Sequence, residues 1–281
     1  MAQVTATPAT PAAPAAPDAP GESGESGLLA RLDRLRRDQP WWLLPLTVVG
    51  VLGGFSLYVL WTAFVESPPG SANHVSEWGP YLSPFFSPTI WRTGPISPAI
   101  WVLWSPLIFR GSCYYYRKAY YRSFFWDPPA CTLGELRHRA YRGETRFPWV
   151  LNNLHRLTLY AALIILAWLW YDAIQAFFST DAATRGHLWL GLGTGIMLVN
   201  VTLLSLYTFS CHSLRHLVGG GLDCYSTARV GMARNRAWRG LTRLNLNHPM
   251  WAWLSLFSVV IADIYIRLLQ HGVLIDPHVV L

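Results

Sequence analysis

Sulfur and nitrogen metal ligands are concentrated in one short stretch, Cys211 to His216, which reads Cys-His-Ser-Leu-Arg-His. It follows a long apolar run and precedes three consecutive glycines. A helix that continued through it would place His212 and His216 one turn apart on one face, with Cys211 about 100° away around the axis. Thiols and imidazoles are ligands for zinc and for iron. The stretch therefore predicts a metal site, although a packed helix end with a polar tip would give the same pattern.

The composition is that of a membrane protein. Of 281 residues, 52% are hydrophobic and only 13% are charged, which is too apolar for a water-soluble domain of this length. A net charge of +7 would suit a nucleic-acid-binding protein. The basic residues are confined to particular loops, however, as orientation in a membrane requires. The four cysteines show no pattern of extracellular pairing, which favours a reducing compartment.

Hydropathy predicts an all-α membrane protein, a five-helix transmembrane bundle with a disordered N-terminal tail. Residues 1–27 are rich in Ala and Pro and cannot bury enough apolar surface to fold. Residues 28–40 form a predicted juxtamembrane amphipathic helix. The remainder, 41–281, is the transmembrane domain. Its predicted spans are about 41–65, 97–124, 148–178, 187–217 and 249–270.

The distribution of Lys and Arg predicts the orientation. The N-terminal segment and the loops at 110–156 and 215–243 hold nearly all of these residues, which places them in the cytoplasm. The chain would then be a multi-pass protein of the cytoplasmic membrane, with its N-terminus inside and its C-terminus outside. This topology brings one set of ligands to the cytoplasmic end of the bundle: Cys113, Cys131, Cys211, His155, His212, His216 and His248.

Imidazoles and thiols near hydrocarbon are costly to bury, so their gathering at one depth favours a shared metal or cofactor site over a structural polar network. A mixed set fits zinc, or a Rieske-type [2Fe-2S] cluster in which two thiolates hold one iron and two imidazoles the other. Haem needs histidines on facing helices, which His155 with His212 or His216 would supply. The sequence contains no His-Glu-x-x-His stretch to support a zinc protease.

Several longer segments are unusual enough to identify a family. They are Cys-Tyr-Tyr-Tyr-Arg-Lys-Ala-Tyr-Tyr-Arg-Ser-Phe at 113–124, Pro-Pro-Ala-Cys at 128–131, Gly-Glu-Thr-Arg-Phe-Pro at 143–148, Asn-Leu-His-Arg at 153–156, Cys-His-Ser-x-Arg-His at 211–216 and Leu-Asn-x-x-His at 244–248. From Trp41 onward, the chain resembles the membrane anchor of type F respiratory complex II, the actinobacterial succinate dehydrogenase 1 class.

The resemblance implies a single anchor subunit with five helices, no haem and a Rieske-type [2Fe-2S] cluster. Such an anchor passes electrons from the iron-sulfur subunit to a quinone, here menaquinone. Succinate is oxidised by the flavoprotein, so this chain would contribute to a succinate:quinone oxidoreductase without a catalytic residue of its own. The implied partners are the flavoprotein and iron-sulfur subunits, membrane lipid and quinone, with no nucleic acid.

The resemblance also implies which residues bind the cluster. The candidate pool for a set of two thiolates and two imidazoles is Cys113, Cys211, His155, His212, His216 and His248. All but His212 form the preferred set, and Cys131 is left out because it lies beyond a proline stop. Leu214 and Val218 stand where family members often have cysteine.

Donors for the quinone carbonyls would be Tyr116, Arg117, Tyr120 and Arg215, although these side chains would equally suit interface anchors. Asp172, near the outer end of the third span, is explained by contact with water. The alternative functions are a di-haem cytochrome b anchor and a transporter or structural membrane protein that uses the polar cluster for ion passage.

Overall fold

Helices dominate the computed structural model, which describes residues 40, 42–65, 75–89, 97–116, 119, 147, 149–220, 222 and 224–281. The helices are α1 (Leu43–Leu60), α2 (Pro98–Gly111), α3 (Leu154–Gln175), α4 (Leu192–Phe209), α5 (His212–Arg215), α6 (Gly231–Leu246) and α7 (His248–Gln270). The strands are β1 (Glu77–Trp78), β2 (Tyr81–Leu82), β3 (Trp189–Gly191) and β4 (His278–Val280). The chain divides into two compact units at Leu43, and every contact described below lies within Leu44–Leu281.

Four helical segments are long and apolar enough to cross a membrane. They are Leu43–Phe64, Leu154–Gln175, Leu192–Phe209 and His248–Gln270, and they match the first, third, fourth and fifth predicted spans. Within the predicted second span, α2 has 14 residues, which is about 21 Å of helix and shorter than the hydrocarbon core. Residues 114–116 are helical again. The count of five spans stays a prediction, because most of 117–146 lies outside the described residues, as does nearly all of 1–40.

The short strands were not predicted and modify the all-α description. Strand β1 pairs with β2, and β3 pairs antiparallel with β4, with Trp189 opposite Val280. The predicted fourth span, 187–217, therefore begins as a strand, and the helix starts only at Leu192. Strands of two or three residues are too short to produce a recognisable alternation in the sequence.

The expectation of one helix through Cys211 to His216 is wrong. Helix α4 ends at Phe209, and Cys211 has an extended backbone (φ −62°, ψ 135°) before α5 begins at His212. The Ser210 hydroxyl donates to the carbonyl of Tyr207 and satisfies one of the free groups at the helix end. Because of this break, the side chain of Cys211 is buried, whereas His212 and His216 are exposed.

Helix α7 packs on α4, α3 packs on α4, and α2 packs on α3. The C-terminal ends of α2 and α4 lie beside the N-terminal ends of α3 and α7. We call this the thiol end, because it contains Cys113 and Cys211. The same antiparallel arrangement places four helix ends around one small volume, where side chains distant in sequence meet.

The opposite end, which we call the carboxylate end, is defined by three aspartates that each accept a hydrogen bond from the segment 75–89. The pairs are Tyr81 with Asp276 at 2.7 Å, Ser83 with Asp263, and Ser87 with Asp172. Gly193 permits the close approach of Tyr81, since a Cβ at Gly193 would come 2.4 Å from the Tyr81 ring. The segment is thereby tied to α3, to α7 and to the C-terminal residues.

Candidate metal centre

Two Cys–His pairs meet at the thiol end. The Sγ atom of Cys113 lies 3.3 Å from Nε2 of His248, and Sγ of Cys211 lies 3.0 Å from Nε2 of His155. All four side chains are buried and line one cavity of about 510 Å³. Each comes from a different segment, so the site exists only when α2, α3, α4 and α7 are packed together.

The hydrogen bonds behind each ring determine which nitrogen faces the thiol. Nδ1 of His155 lies 2.9 Å from the carbonyl oxygen of Phe109, which can only accept, so Nδ1 carries the proton. Nδ1 of His248 lies 2.7 Å from the Ser210 hydroxyl, whose own proton goes to the carbonyl of Tyr207. Both Nε2 atoms therefore present a lone pair to the cavity, as a metal ligand must.

Aromatic rings hold the two imidazoles in plane. Phe109 stacks on His155 with centroids 4.5 Å apart and an interplanar angle of 4°. Tyr207 stacks on His248 at 5.1 Å and 19°. A ring fixed by stacking on one face and by a hydrogen bond at Nδ1 loses little further freedom when it binds a metal, which favours ligation.

A guanidinium group lies against the same cluster. Arg110 donates to the Tyr116 hydroxyl at 2.8 Å, to the carbonyl of Ala252 at 3.1 Å and to Ser255 Oγ at 2.9 Å. Its charge also sits over the ring of Tyr207, 4.6 Å from the centroid. A positive charge here favours thiolates and any centre that gains negative charge on reduction.

Burial raises the pKa of the Cys211 thiol to about 11. Without a metal, this thiol is therefore protonated at neutral pH and can donate to Nε2 of His155. Metal ions bind the thiolate and displace that proton. The Cys211–His155 contact is thus a satisfied hydrogen bond in the metal-free chain and a potential pair of ligands when a metal is present.

The donor set has the same composition as the ligands of one type of two-iron cluster. Among the described residues, no three Cys, His, Asp or Glu side chains surround one point closely enough to hold one metal ion. Instead, two thiols and two imidazoles line one cavity in two pairs. This matches the ligand count of a Rieske-type [2Fe-2S] centre, in which the two irons have separate ligand types. The residues present therefore fit such a group.

The other predicted site residues have different surroundings. His212 lies on the rim of the cavity, where partial burial, followed by the charge of Arg215, lowers its pKa. His216 is exposed and does not line the cavity. Of the predicted quinone donors, Tyr116 is buried and donates to the carbonyl of Ala252 at 2.5 Å. Arg215 lies over the Trp238 ring at 5.3 Å. The remaining two, Arg117 and Tyr120, are outside the described residues, as is Cys131.

Two serines of the site were missed at the sequence level, although a signal was present. Each buried cysteine is preceded by a serine, at Ser112-Cys113 and Ser210-Cys211. Ser112 Oγ lies 3.2 Å from Nδ1 of His155, the histidine paired with Cys211. Ser210 in turn contacts the histidine paired with Cys113. Each Ser-Cys dipeptide thus supplies a thiol to one pair and a hydroxyl to the other.

Comparisons with known proteins identify the family. The family model described as "Actinobacterial succinate dehydrogenase subunit SdhC" matches residues 43–272. Among solved structures, the chain is similar to one in the Mycobacterium smegmatis Sdh1 complex in the apo form, with 38% sequence identity and a TM-score of 0.70. That match covers 86% of this chain and 92% of the other. No curated protein sequence matches. The chain belongs to the SdhC family and is a membrane anchor subunit of an actinobacterial succinate dehydrogenase.

Proposed function

We propose that this anchor passes electrons from the iron-sulfur subunit through a Rieske-type [2Fe-2S] cluster to menaquinone. The observation that carries the proposal is the meeting of Cys113, Cys211, His155 and His248 around one buried cavity, in two pairs with contacts of 3.3 and 3.0 Å. Packing alone does not explain four soft or borderline ligands from four segments in one place, because each is costly to bury near hydrocarbon.

In this proposal Cys113 and Cys211 would hold one iron through their thiolates, and His155 and His248 would hold the other through Nε2. Such a cluster, when bound, accepts and releases one electron, and its imidazole ligands raise the reduction potential above that of an all-cysteine cluster. The protein's own residues orient the ligands. The Nδ1 atoms of the two histidines contact Ser112, Ser210 and the carbonyl of Phe109, which keeps their protons on the side of the ring away from the cavity. The rings of Phe109 and Tyr207 stack on the imidazoles and fix their orientation.

We further propose that the thiol end faces the cytoplasm, with the N-terminus inside and the C-terminus outside. The exposed basic residues of the described thiol end support this orientation, namely Arg156, Arg229, Arg236, Arg239 and Arg243. They provide a positively charged surface on which the iron-sulfur subunit would dock, with the flavoprotein bound beyond it. A cluster at this end would then lie next to the subunit that supplies its electrons.

Geometry disfavours the di-haem alternative. A haem held by two histidines needs both imidazoles directed at one iron from opposite faces of the porphyrin. Here each buried imidazole faces a thiol instead, at His155–Cys211 and His248–Cys113. A reduced-minus-oxidised optical spectrum separates the two models, since haem gives sharp Soret and alpha bands. The alternative of a transporter is disfavoured because the chain belongs to the family of succinate dehydrogenase anchor subunits.

The test is electron paramagnetic resonance of the purified complex after reduction. We expect a signal with the low average g value of Rieske centres, and we expect His155→Ala to abolish it and to lower the iron content by about two atoms per complex. His216→Ala is the matched control, because this exposed imidazole lies outside the cavity. A wild-type complex without such a signal, or a signal that persists in His155→Ala, would refute the proposal.

A further inference from the structure

Strands β3 and β4 form a two-stranded ribbon at the carboxylate end, and one face of this ribbon belongs to the core. Trp189 is opposite Val280 and is 4% exposed. Both residues pack in a cluster that includes Tyr81, from the segment 75–89, and Ile266, from α7. The indole N–H of Trp189 also donates to the Tyr81 hydroxyl at 2.8 Å. This inner face is therefore fixed to the end of α7.

The outer face of the ribbon consists of aliphatic side chains. Leu190 is opposite Val279. Leu188 exchanges two backbone hydrogen bonds with Leu281, at 3.0 and 2.8 Å. Because side chains alternate along a strand, these four residues share the face opposite to that of Trp189. Their exposed fractions are 38% for Leu188, 41% for Leu190, 57% for Val279 and 65% for Leu281. The ribbon thus presents two cross-strand aliphatic pairs on the side away from the core.

Water is a poor environment for this outer face. A sheet that packs one face on a core and turns the other to water alternates apolar and polar residues, but here both faces are apolar. The sequence has no Asp, Glu, Lys or Arg at 186–206, and the only such residue at 268–281 is Asp276, which is 1% exposed. Tyr81 and Tyr265 each donate a hydrogen bond of 2.7 Å to its carboxylate. The ribbon therefore lacks the exposed charges that protect strands in water.

The outer face continues into the exposed side of a spanning helix. Helix α4 begins at Leu192, directly after β3, and the N–H of Leu192 donates to the carbonyl of Pro277 at 3.2 Å. Leu192 also continues the alternation from Leu190, because the backbone of Gly191 is extended. Leu192 and Val199 lie on one side of α4 and are 53% and 56% exposed. Since α4 is long and apolar enough to cross the membrane of which this anchor is a part, acyl chains contact this side and reach the ribbon beside it.

We propose that the outer face of the ribbon lies in the interfacial layer of the bilayer and contacts the part of the lipid acyl chains nearest the headgroups. Backbone groups rule out a deeper position. Strand β3 is bonded on both sides, to β4 and, from the Trp189 N–H to the Phe177 carbonyl at 2.7 Å, to the residues after α3. Among the described strands, β4 is paired on one side only, so its other edge needs headgroups or water.

The ribbon acts as an interfacial anchor. It joins the start of α4 to the chain that follows α7 and holds both helix ends at a fixed depth in the leaflet at the carboxylate end. Cys211 and His248 lie at the opposite ends of these two helices. The proposal concerns the contact with lipid alone and does not depend on a cluster at the thiol end.

The test is photolabelling of the whole complex in phosphatidylcholine vesicles that contain a trace of diazirine phospholipid. A shallow probe has the diazirine near the ester of one acyl chain, and a deep probe has it near the terminal methyl group. We expect the shallow probe to label Leu190 and Val279. The deep probe should prefer Val199, which is about 10 Å farther along α4 than Leu192. Ala182, exposed in the loop before β3, should take neither label. Tandem mass spectrometry assigns the labelled residues.

A charge on the outer face gives a second test. Val279→Asp should reduce shallow-probe labelling of Leu190, its cross-strand neighbour, by about threefold or more, because the carboxylate draws the ribbon toward water. Ala182→Asp is the matched control, since it places the same charge in the exposed loop and should leave the labelling unchanged. If Val279→Asp does not assemble, the two probes on the unaltered chain decide the question.

Three results would overturn the proposal. Ribbon residues that stay unlabelled while Val199 is labelled would show that water or another protein chain covers the outer face. Ribbon residues that prefer the deep probe would exclude the interfacial position. Labelling of Leu190 that is equal in the unaltered chain and in an assembled Val279→Asp complex would show that the outer face does not hold the ribbon in lipid.

Discussion

The hydroxyl of Ser210 lies 2.7 Å from Nδ1 of His248, and on the other side of the ring Nε2 lies 3.3 Å from the thiol of Cys113. The serine thereby controls which nitrogen faces the cavity of the candidate metal centre. At His155, whose Nε2 faces Cys211, the Ser112 hydroxyl lies 3.2 Å from Nδ1 and shares this nitrogen with the carbonyl of Phe109 at 2.9 Å. Ser112 and Ser210, 98 positions apart in the sequence, each contact Nδ1 of the histidine that is paired with the other serine's neighbouring cysteine.

Replacement of Ser210 tests this relation. A hydrogen bond that accepts the Nδ1 proton makes the imidazole a better electron donor and stabilises the oxidised cluster. Ser210→Ala should therefore raise the reduction potential of the Rieske-type signal. The expected shift is roughly 20 to 60 mV, the one-electron equivalent of a hydrogen bond of about 0.5 to 1.5 kcal/mol. A redox titration monitored by electron paramagnetic resonance measures it, with Ser205→Ala as a control, because Ser205 bonds to Trp170 instead.

Arg110 should act in the opposite direction. Its positive charge stabilises the reduced, more negative form of a nearby cluster. Arg110→Gln should lower the reduction potential by tens of millivolts, whereas Arg110→Lys keeps the charge and should change the potential less. Both variants lose the fork of hydrogen bonds to Tyr116, Ala252 and Ser255. Equal shifts in the two variants would show that these hydrogen bonds, rather than the charge, set the potential.

The sequence predicted the residues that line the cavity better than it predicted the geometry that separates them from their neighbours. Cys113, Cys211, His155 and His248 were all in the predicted pool, because the distribution of Lys and Arg placed them at one end of the bundle. Their role as ligands stays a prediction. The position of His216 outside the cavity could not be predicted, since it depends on the helix break at Ser210 and Cys211. A helical wheel assumes one continuous helix and therefore placed His212 and His216 on one face, with Cys211 about 100° away around the axis.

At the carboxylate end, too, the sequence predicted the position of a residue but not its contacts. The sequence indicated that Asp172 was near the end of a span and was therefore compatible with contact with water. In the structure it is bonded to Ser87, which belongs to a segment 85 residues earlier in the chain. Pairings of this kind come from the loop at 75–89, whose conformation has no periodic signal. The positions of long apolar helices were predictable, whereas the contacts of the connecting segments were not.

A buried ion pair at the carboxylate end should have a large effect on stability. Arg267 Nε lies 2.6 Å from Asp263, and both side chains are almost completely buried. Asp263→Ala leaves the guanidinium buried without its counterion, and we expect it to reduce the free energy of unfolding by about 3 to 5 kcal/mol. The double variant Asp263→Leu/Arg267→Met should recover part of this loss, because it removes the unpaired charge but leaves the hydroxyls of Ser83 and Tyr58 without their acceptor. Denaturant titration in detergent measures both. Exposed Asp181→Asn is the control, and a double variant as unstable as the single one would contradict the argument.

Among the described cysteines, Cys224 should be the reactive thiol at neutral pH. It is exposed, and hydrogen bonds led by that from Ser226, 2.9 Å away, lower its pKa to about 7. Since the thiolate is the nucleophile, the rate of alkylation should increase as the pH rises through about 7. It should decrease as the pH is lowered below about 7.

The rate of iodoacetamide labelling at Cys224, followed by mass spectrometry from pH 5.5 to 9.5, measures this dependence. We expect a midpoint near pH 7, and Ser226→Ala should move the midpoint upward, because it removes the largest stabilising contact of the thiolate. Cys113 and Cys211 are buried and should stay unlabelled until the protein is denatured, which provides an internal control. A midpoint near the ordinary thiol value of about 8.5 in the unaltered chain would show that the Ser226 contact does not stabilise the thiolate.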